Sequence, residues 1–212
     1  MTVFIIRKLK LIAAIIGISA TVSCPGETEK TISENEPSYY HTRELENASF
    51  KRTPRLGSYW METPKVVICE NSGVTRHRAE RAISYWRKLG YKIEYTGLES
   101  EYQCMTGGRT GLITIMIVNT DLQMGSNLAM TRTFRDTRTR QNIKAEIYIF
   151  PHVASQAFVL EHEIGHALGW SHCSMSYHIM NREITFTGHG SRGVRYTDYI
   201  KQTGEILLDV SQ

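Results

Sequence analysis

The sequence lacks the features that are typical of fibrous, disordered and nucleic-acid-binding proteins. Its 212 residues are 41% hydrophobic and 22% charged and show no internal repeat, so collagen-like, coiled-coil and wholly disordered chains are excluded. The chain also has little net charge. The formal net charge is +4, and three of these positive charges come from Arg7, Lys8 and Lys10 in the first 23 residues, which contain no acidic residue. The rest of the chain is nearly neutral, which argues against a nucleic-acid partner. The length suits one globular domain.

A long hydrophobic run is missing as well. The apolar stretch after Lys10 spans about a dozen residues, whereas a membrane-spanning helix needs roughly 20. A basic segment, a short apolar run and small residues before Cys24 are typical of a secretory signal peptide, which we predict over residues 1–23. An uncleaved N-terminal anchor is the alternative.

The segment from Thr21 to Cys24 resembles the bacterial lipobox, in which the cysteine is lipidated and becomes the first residue of the mature protein. The resemblance implies an exported protein, either lipid-anchored in the bacterial cell envelope, on the periplasmic or outer side, or secreted. Residues 24–58 would then hold the lipid-anchor Cys24 and a polar tether, since this stretch has many glutamates and few apolar residues. A short activation segment is the alternative interpretation.

Three further cysteines lie in the body of the chain, at positions 69, 104 and 173, and an exported compartment permits disulfides. Cys69 ends one predicted strand and Cys104 follows another. If those strands are parallel neighbours, both thiols emerge at the same edge of the sheet. We therefore predict a Cys69–Cys104 disulfide, with separate buried thiols as the alternative.

Hydrophobic periodicity predicts a chain of mixed strands and helices. Predicted strands cover residues 64–69, 91–95, 111–118, 128–134 and 145–150, and predicted helices cover 75–89, a long segment from 155 and 196–207. This order predicts an α+β protein whose N-terminal part is α/β-like. The residues after Ser171 show little periodicity and cannot form a core of their own, so we expect them to pack against the second helix. A cleft is expected where the two parts meet.

The second predicted helix carries a group of residues suited to metal chemistry. His162 and His166 are one helical turn apart, so both imidazoles can point at a single metal. Glu163 lies beside them, within reach of a metal-bound water. His172 can join them only if the chain turns, and Gly169 supplies that turn because glycine accepts a positive φ. Three neutral imidazoles and a water form the open tetrahedral site of catalytic zinc.

The run from His162 to His172 resembles the metzincin zinc signature, His-Glu-x-x-His-x-x-Gly-x-x-His, and is most similar to its matrixin branch. The resemblance implies a metzincin-like zincin fold: a twisted, mixed five-stranded sheet, two long helices and a small C-terminal subdomain with one helix. Met180, eight residues after His172, would be the methionine of the Met-turn. The catalytic domain would cover residues 59–212, divided into subdomains 59–171 and 172–212.

The same resemblance implies a zinc-dependent metalloendopeptidase, in which Glu163 is the general base for a zinc-activated water that attacks an internal peptide bond. The expected partner is an extended peptide or protein that pairs with the strand at 128–134. We expect one catalytic Zn²⁺, because residues 119–150 lack the His and Asp cluster that holds structural zinc and calcium in matrixins. We also expect a monomer. The membrane is expected to be contacted only through the N-terminal lipid.

One tyrosine and one further histidine also receive an assignment. Tyr177 is a candidate donor to the transition state, and His178 is expected to be a solvated loop histidine. Two other functions stay open at this point: a non-catalytic, zinc-containing lipoprotein that binds peptides, and a hydrolase of cell-wall peptide amides.

Overall fold

The computed structural model describes residues 53–105, 109–118, 128–183 and 186–209. The predicted signal peptide, the lipid-anchor residue Cys24 and the tether up to residue 52 lie outside the described residues. Within the described ranges, no helix combines the length and the apolar character needed to cross a membrane.

A five-stranded sheet forms the centre of the fold. Its strands are β1 (Lys65–Cys69), β2 (Glu94–Glu99), β3 (Leu112–Ile117), β4 (Ala129–Arg135) and β5 (Asn142–Ile149). They lie in the order β2-β1-β3-β5-β4. The first four in this order are mutually parallel, and β4 at the edge is antiparallel to β5. The sheet is therefore mixed, as predicted.

Among the described residues, four α-helices accompany the sheet and make the protein α+β. They are α1 (Arg76–Lys88), α2 (Glu101–Met105), α3 (Val159–Ala167) and α4 (Tyr196–Asp209). Helix α1 begins after Thr75, whose hydroxyl accepts a hydrogen bond from the Arg78 amide at 3.2 Å, as an N-cap residue does. The sequence did not predict α2.

Helix α3 has nine residues and begins at Val159, so it is shorter than the long helix predicted from residue 155. Pro151–Val153 form a separate 3-10 turn, and Phe158 has a φ of 67°. A positive φ at a bulky residue is incompatible with an α-helix. Because of these two backbone features, α3 begins at Val159 and not at residue 155.

The core lies between the sheet and the pair α1 and α3, which contact each other. Helix α3 packs over β4 and β5, so its residues stand at the antiparallel edge of the sheet. Arg78 of α1 and Glu161 of α3 form a buried bidentate ion pair, with N–O distances of 2.8 and 2.5 Å. Trp86 donates its indole N–H to the Glu161 carbonyl at 2.8 Å. Both contacts fix the first turn of α3 immediately before His162.

A disulfide joins Cys69, at the end of β1, to Cys104 in α2, with a Cα–Cα distance of 6.0 Å. Strands β1 and β2 are parallel neighbours, and α2 follows β2 and places Cys104 at the same edge. Cys173 is a free, buried thiol.

Candidate metal centre

Three histidines converge at the edge of the sheet. Their Nε2 atoms are 3.0 Å apart for His162 and His166, 3.0 Å for His166 and His172, and 3.2 Å for His162 and His172. The first two come from successive turns of α3, and the third comes from the segment after the helix. In the described part of the chain, this is the one group of three or more His, Cys, Asp or Glu residues that could hold a metal ion.

Backbone carbonyls orient two of these rings. The Nδ1–H of His162 donates to the Ile179 carbonyl at 2.7 Å, and the Nδ1–H of His166 donates to the Trp170 carbonyl at 2.8 Å. Because a carbonyl can only accept, the proton is assigned to Nδ1 in each ring, and the Nε2 lone pair is left for a metal.

The donor set fits zinc. Burial holds the pKa of all three histidines far below the usual range, and the neighbouring imidazoles lower it further, so the rings are neutral near pH 7. Zn–N bonds of about 2.0–2.1 Å in tetrahedral geometry require donor atoms roughly 3.3 Å apart. The observed separations are slightly smaller, and a small outward shift of the rings would meet this requirement.

Gly169 makes the turn that brings His172 back to His162 and His166. Its φ is +105°, and a Cβ at this position would overlap the carbonyl oxygen of Ser58. Both the backbone conformation and the close approach of residue 58 therefore require glycine. The structure places this residue at the helix-end turn where the sequence predicted one.

Glu163 lies beside the histidines with a carboxylate that is held on one side. Its side chain is buried, and the Thr131 hydroxyl donates to Oε2 at 2.6 Å. Oε1 makes no hydrogen bond within the described residues and is left for a water. Burial raises the pKa of Glu163 to about 7, against the lowering effect of the Thr131 hydrogen bond.

Sequence reasoning missed Thr131. Alternation along β4 is a signal that position 131 faces the core side of the sheet. No local pattern, however, indicates that α3 crosses β4 at this point and brings Glu163 into contact.

Met180 is fully buried in a tight turn beneath α3. Its amide donates to His178 Nδ1 at 3.0 Å, and its carbonyl accepts from the Cys173 amide at 2.8 Å. A Cβ on Gly165 would overlap the Met180 sulfur, so the thioether lies directly against α3.

The structure bears on two sequence expectations in this region, one for His178 and one for Tyr177. The solvated position predicted for His178 is wrong, because the ring is 2% exposed and its Nε2 donates to the Arg192 carbonyl at 3.1 Å. The ring fills the inside of the turn that carries Met180, a position that local sequence could not reveal. Tyr177 is 74% exposed, and within the described residues no hydrogen bond or ring contact links it to the three histidines.

No protein-family model and no curated protein matches the chain. Among solved structures, the chain is similar to the crystal structure of metalloproteinase-II from Bacteroides fragilis, with 15% sequence identity and a TM-score of 0.44. The match covers 78% of this chain and 60% of that one, so the chain spans less than two thirds of the length of the protein it matches.

Proposed function

We propose that this chain is a zinc-dependent metalloendopeptidase of the metzincin type, most similar to matrixins. One observation carries the proposal: three neutral histidines converge on one point, next to a glutamate whose carboxylate has one oxygen fixed and one available. The spacing from His162 to His172 and the buried Met180 support the finer assignment to metzincins. A pure metal-storage site would have no use for the Glu163 carboxylate.

His162, His166 and His172 would hold the zinc, which, when bound, supplies a Lewis acid that polarises a peptide carbonyl and lowers the pKa of a water. Glu163 takes the proton of the attacking water through Oε1 and delivers it to the leaving amine. Thr131 keeps the carboxylate in place during both transfers, because its hydroxyl holds Oε2.

Strand β4 supports an extended peptide as the substrate. It forms one edge of the sheet, and its residue Thr131 contacts Glu163. A peptide that pairs with this edge through main-chain hydrogen bonds runs past the histidines. Both ends of such a peptide extend beyond the site, which favours cleavage of internal bonds.

Hydrolysis of an unstructured protein tests the proposal. We expect the chain to cleave casein, to lose this activity with a zinc chelator and to regain it when zinc is added. Glu163→Ala should bind one zinc per chain without cleaving, whereas Glu101→Ala, which removes an exposed carboxylate in α2, should retain the activity. Stoichiometric zinc without cleavage would favour a peptide-binding protein instead, and a chain that binds no zinc would refute the proposal.

We further propose that the protein is exported and anchored through a lipid on Cys24. The lipobox-like segment and the Cys69–Cys104 disulfide support this, since disulfides persist in oxidising compartments. Expression in a bacterium should place the chain in the membrane fraction, and Cys24→Ala should release it. An equal distribution of both forms would contradict the lipid anchor.

A further inference from the structure

A segment before β1 runs alongside residues 169–171, the loop between His166 and His172. We name residues 53–60 the N-terminal strap. Gly57 donates its amide to the Gly169 carbonyl at 2.9 Å, and Ser171 donates its amide to the Arg55 carbonyl at 2.9 Å. Leu56 and Trp170 form an antiparallel bridge between these two bonds. The strap is thus paired, as a short strand, with the turn between the second and third histidines.

The strap is also fixed on its other side. Leu56 donates its amide to Gln202 Oε1 at 2.8 Å and Trp60 donates its amide to the Tyr199 hydroxyl at 2.6 Å, both in α4. The Trp60 indole donates to the Ala167 carbonyl at the end of α3 at 2.8 Å. Asn142, at the start of β5, donates its amide to the Tyr59 carbonyl at 2.6 Å. The strap therefore has a defined position from which it can hold the loop.

Trp170 lies between Gly169 and Ser171, the two loop residues that bond to the strap, and it orients His166. The Trp170 carbonyl accepts the Nδ1–H of His166 at 2.8 Å, and His172 follows two residues later. Bonds to the residues on either side of Trp170 fix the direction of its carbonyl. They also fix the path by which the chain reaches His172.

We propose that the N-terminal strap is a supporting strand of the metal centre and that its pairing with residues 169–171 sets the affinity for zinc. The inference rests on the proposed zinc site and extends it to residues outside the histidine motif. The strap belongs to the folded domain, although the sequence placed residues 53–58 in the tether. A proteolytic cut inside the strap should therefore weaken zinc binding, which is the opposite of what removal of an inhibitory segment would do.

Two substitutions at Gly57 separate the pairing from other effects. Gly57→Pro removes the amide hydrogen that bonds to the Gly169 carbonyl. Gly57→Ala keeps that amide, and its Cβ would meet no atom closer than 3.8 Å. In the full-length chain, we would measure the zinc Kd by competition with a chelator, the visible absorption spectrum of the Co²⁺-loaded protein and the thermal unfolding of the metal-free protein.

Loss of a group that orients a ligand directly weakens metal binding roughly 10- to 100-fold. Gly57→Pro leaves the Trp170 carbonyl in place and removes only the support of its loop, so we expect zinc binding to weaken by about tenfold, at the low end of this range, and the Co²⁺ spectrum to change. Gly57→Ala should match the parent chain in both. A variant with a small cavity in β1, Ile68→Val, controls for general loss of stability and should leave the zinc Kd unchanged. If Gly57→Pro does not fold, Ser171→Ala removes the acceptor of the Arg55 amide, and Ser171→Thr restores it.

The outcomes separate this inference from the proposed function. A parent chain that binds no zinc overturns both. A parent chain that binds zinc, with equal zinc affinities within the Gly57 pair or, in its place, the Ser171 pair, overturns the role of the strap alone. Weaker zinc binding in Ile68→Val to the same degree as in Gly57→Pro would also overturn it, since the effect would then be one of stability.

Discussion

Replacing Thr131 by valine removes the hydroxyl that fixes the Glu163 carboxylate while keeping the shape of the side chain. The bond is short, at 2.6 Å, and both residues are buried, so little solvent is available to replace it. A hydrogen bond to a charged group contributes about 1.5–3 kcal/mol. Because about 1.4 kcal/mol corresponds to a tenfold change in rate, we expect kcat to fall roughly 10- to 100-fold.

Steady-state cleavage of a fluorogenic peptide measures this effect. The loss should appear in kcat and leave KM nearly unchanged, because Thr131 acts on the carboxylate and not on the bound peptide. Thr131→Ser keeps the hydroxyl and should recover most of the rate. Thr133→Val makes the same chemical change two residues along β4, away from Glu163, and should behave like the parent chain.

Unchanged kcat in Thr131→Val, with one zinc bound per chain, would refute the reasoning. An equal loss in Thr133→Val would refute it too, since the effect would then come from the strand as a whole. Measuring zinc content in each variant excludes loss of the metal as the cause.

Three further predictions concern stability. Gly165→Ala should lower the free energy of unfolding by about 1–3 kcal/mol, because its Cβ would overlap the Met180 sulfur and lie 2.7 Å from Trp86 Cζ2; an unchanged or higher melting temperature would contradict this packing. Arg78→Met should cost about 3–5 kcal/mol in denaturant unfolding, because it leaves the Glu161 carboxylate buried without its partner, and adding Glu161→Leu should recover part of the loss. Zinc at a thousand times its Kd should stabilise the chain by about 4 kcal/mol, an effect that calorimetry should find absent in His166→Ala.

The histidine cluster and most strands could be predicted because their signals are local. His162 and His166 share a face through helical spacing. The apolar run of β1 is buried on both faces after Lys65, and β3 buries Ile113 and Ile115 on one face and leaves the other face partly exposed. Gly169 was predictable from the need to turn the chain between His166 and His172. These inferences depend on a few neighbouring residues and on backbone geometry.

The parts that sequence did not reveal depend on contacts between distant residues. Thr131 reaches Glu163 across 32 positions, and Arg78 reaches Glu161 across 83. The sequence did not reveal the strap because the polar residues around it predict a tether. Leu56 and Trp60 are buried, and their partners lie more than 100 positions away, in Trp170 and in helices α3 and α4. The early predicted start of α3 was wrong because a periodic pattern carries no information about the positive φ of Phe158.

The pairing of the strap also determines when the site is completed during synthesis. Arg55 and Ser171 are 116 residues apart, and Leu56 and Gln202 are 146 apart. The strap therefore leaves the ribosome long before the loop and the helix that hold it, and the entropy of closing so long a loop must be overcome before these bonds form. Under the role proposed for the strap, zinc capture at full affinity would be a late event, and a truncated product that contains the histidine motif but lacks the strap's partners would bind zinc more weakly than the full chain.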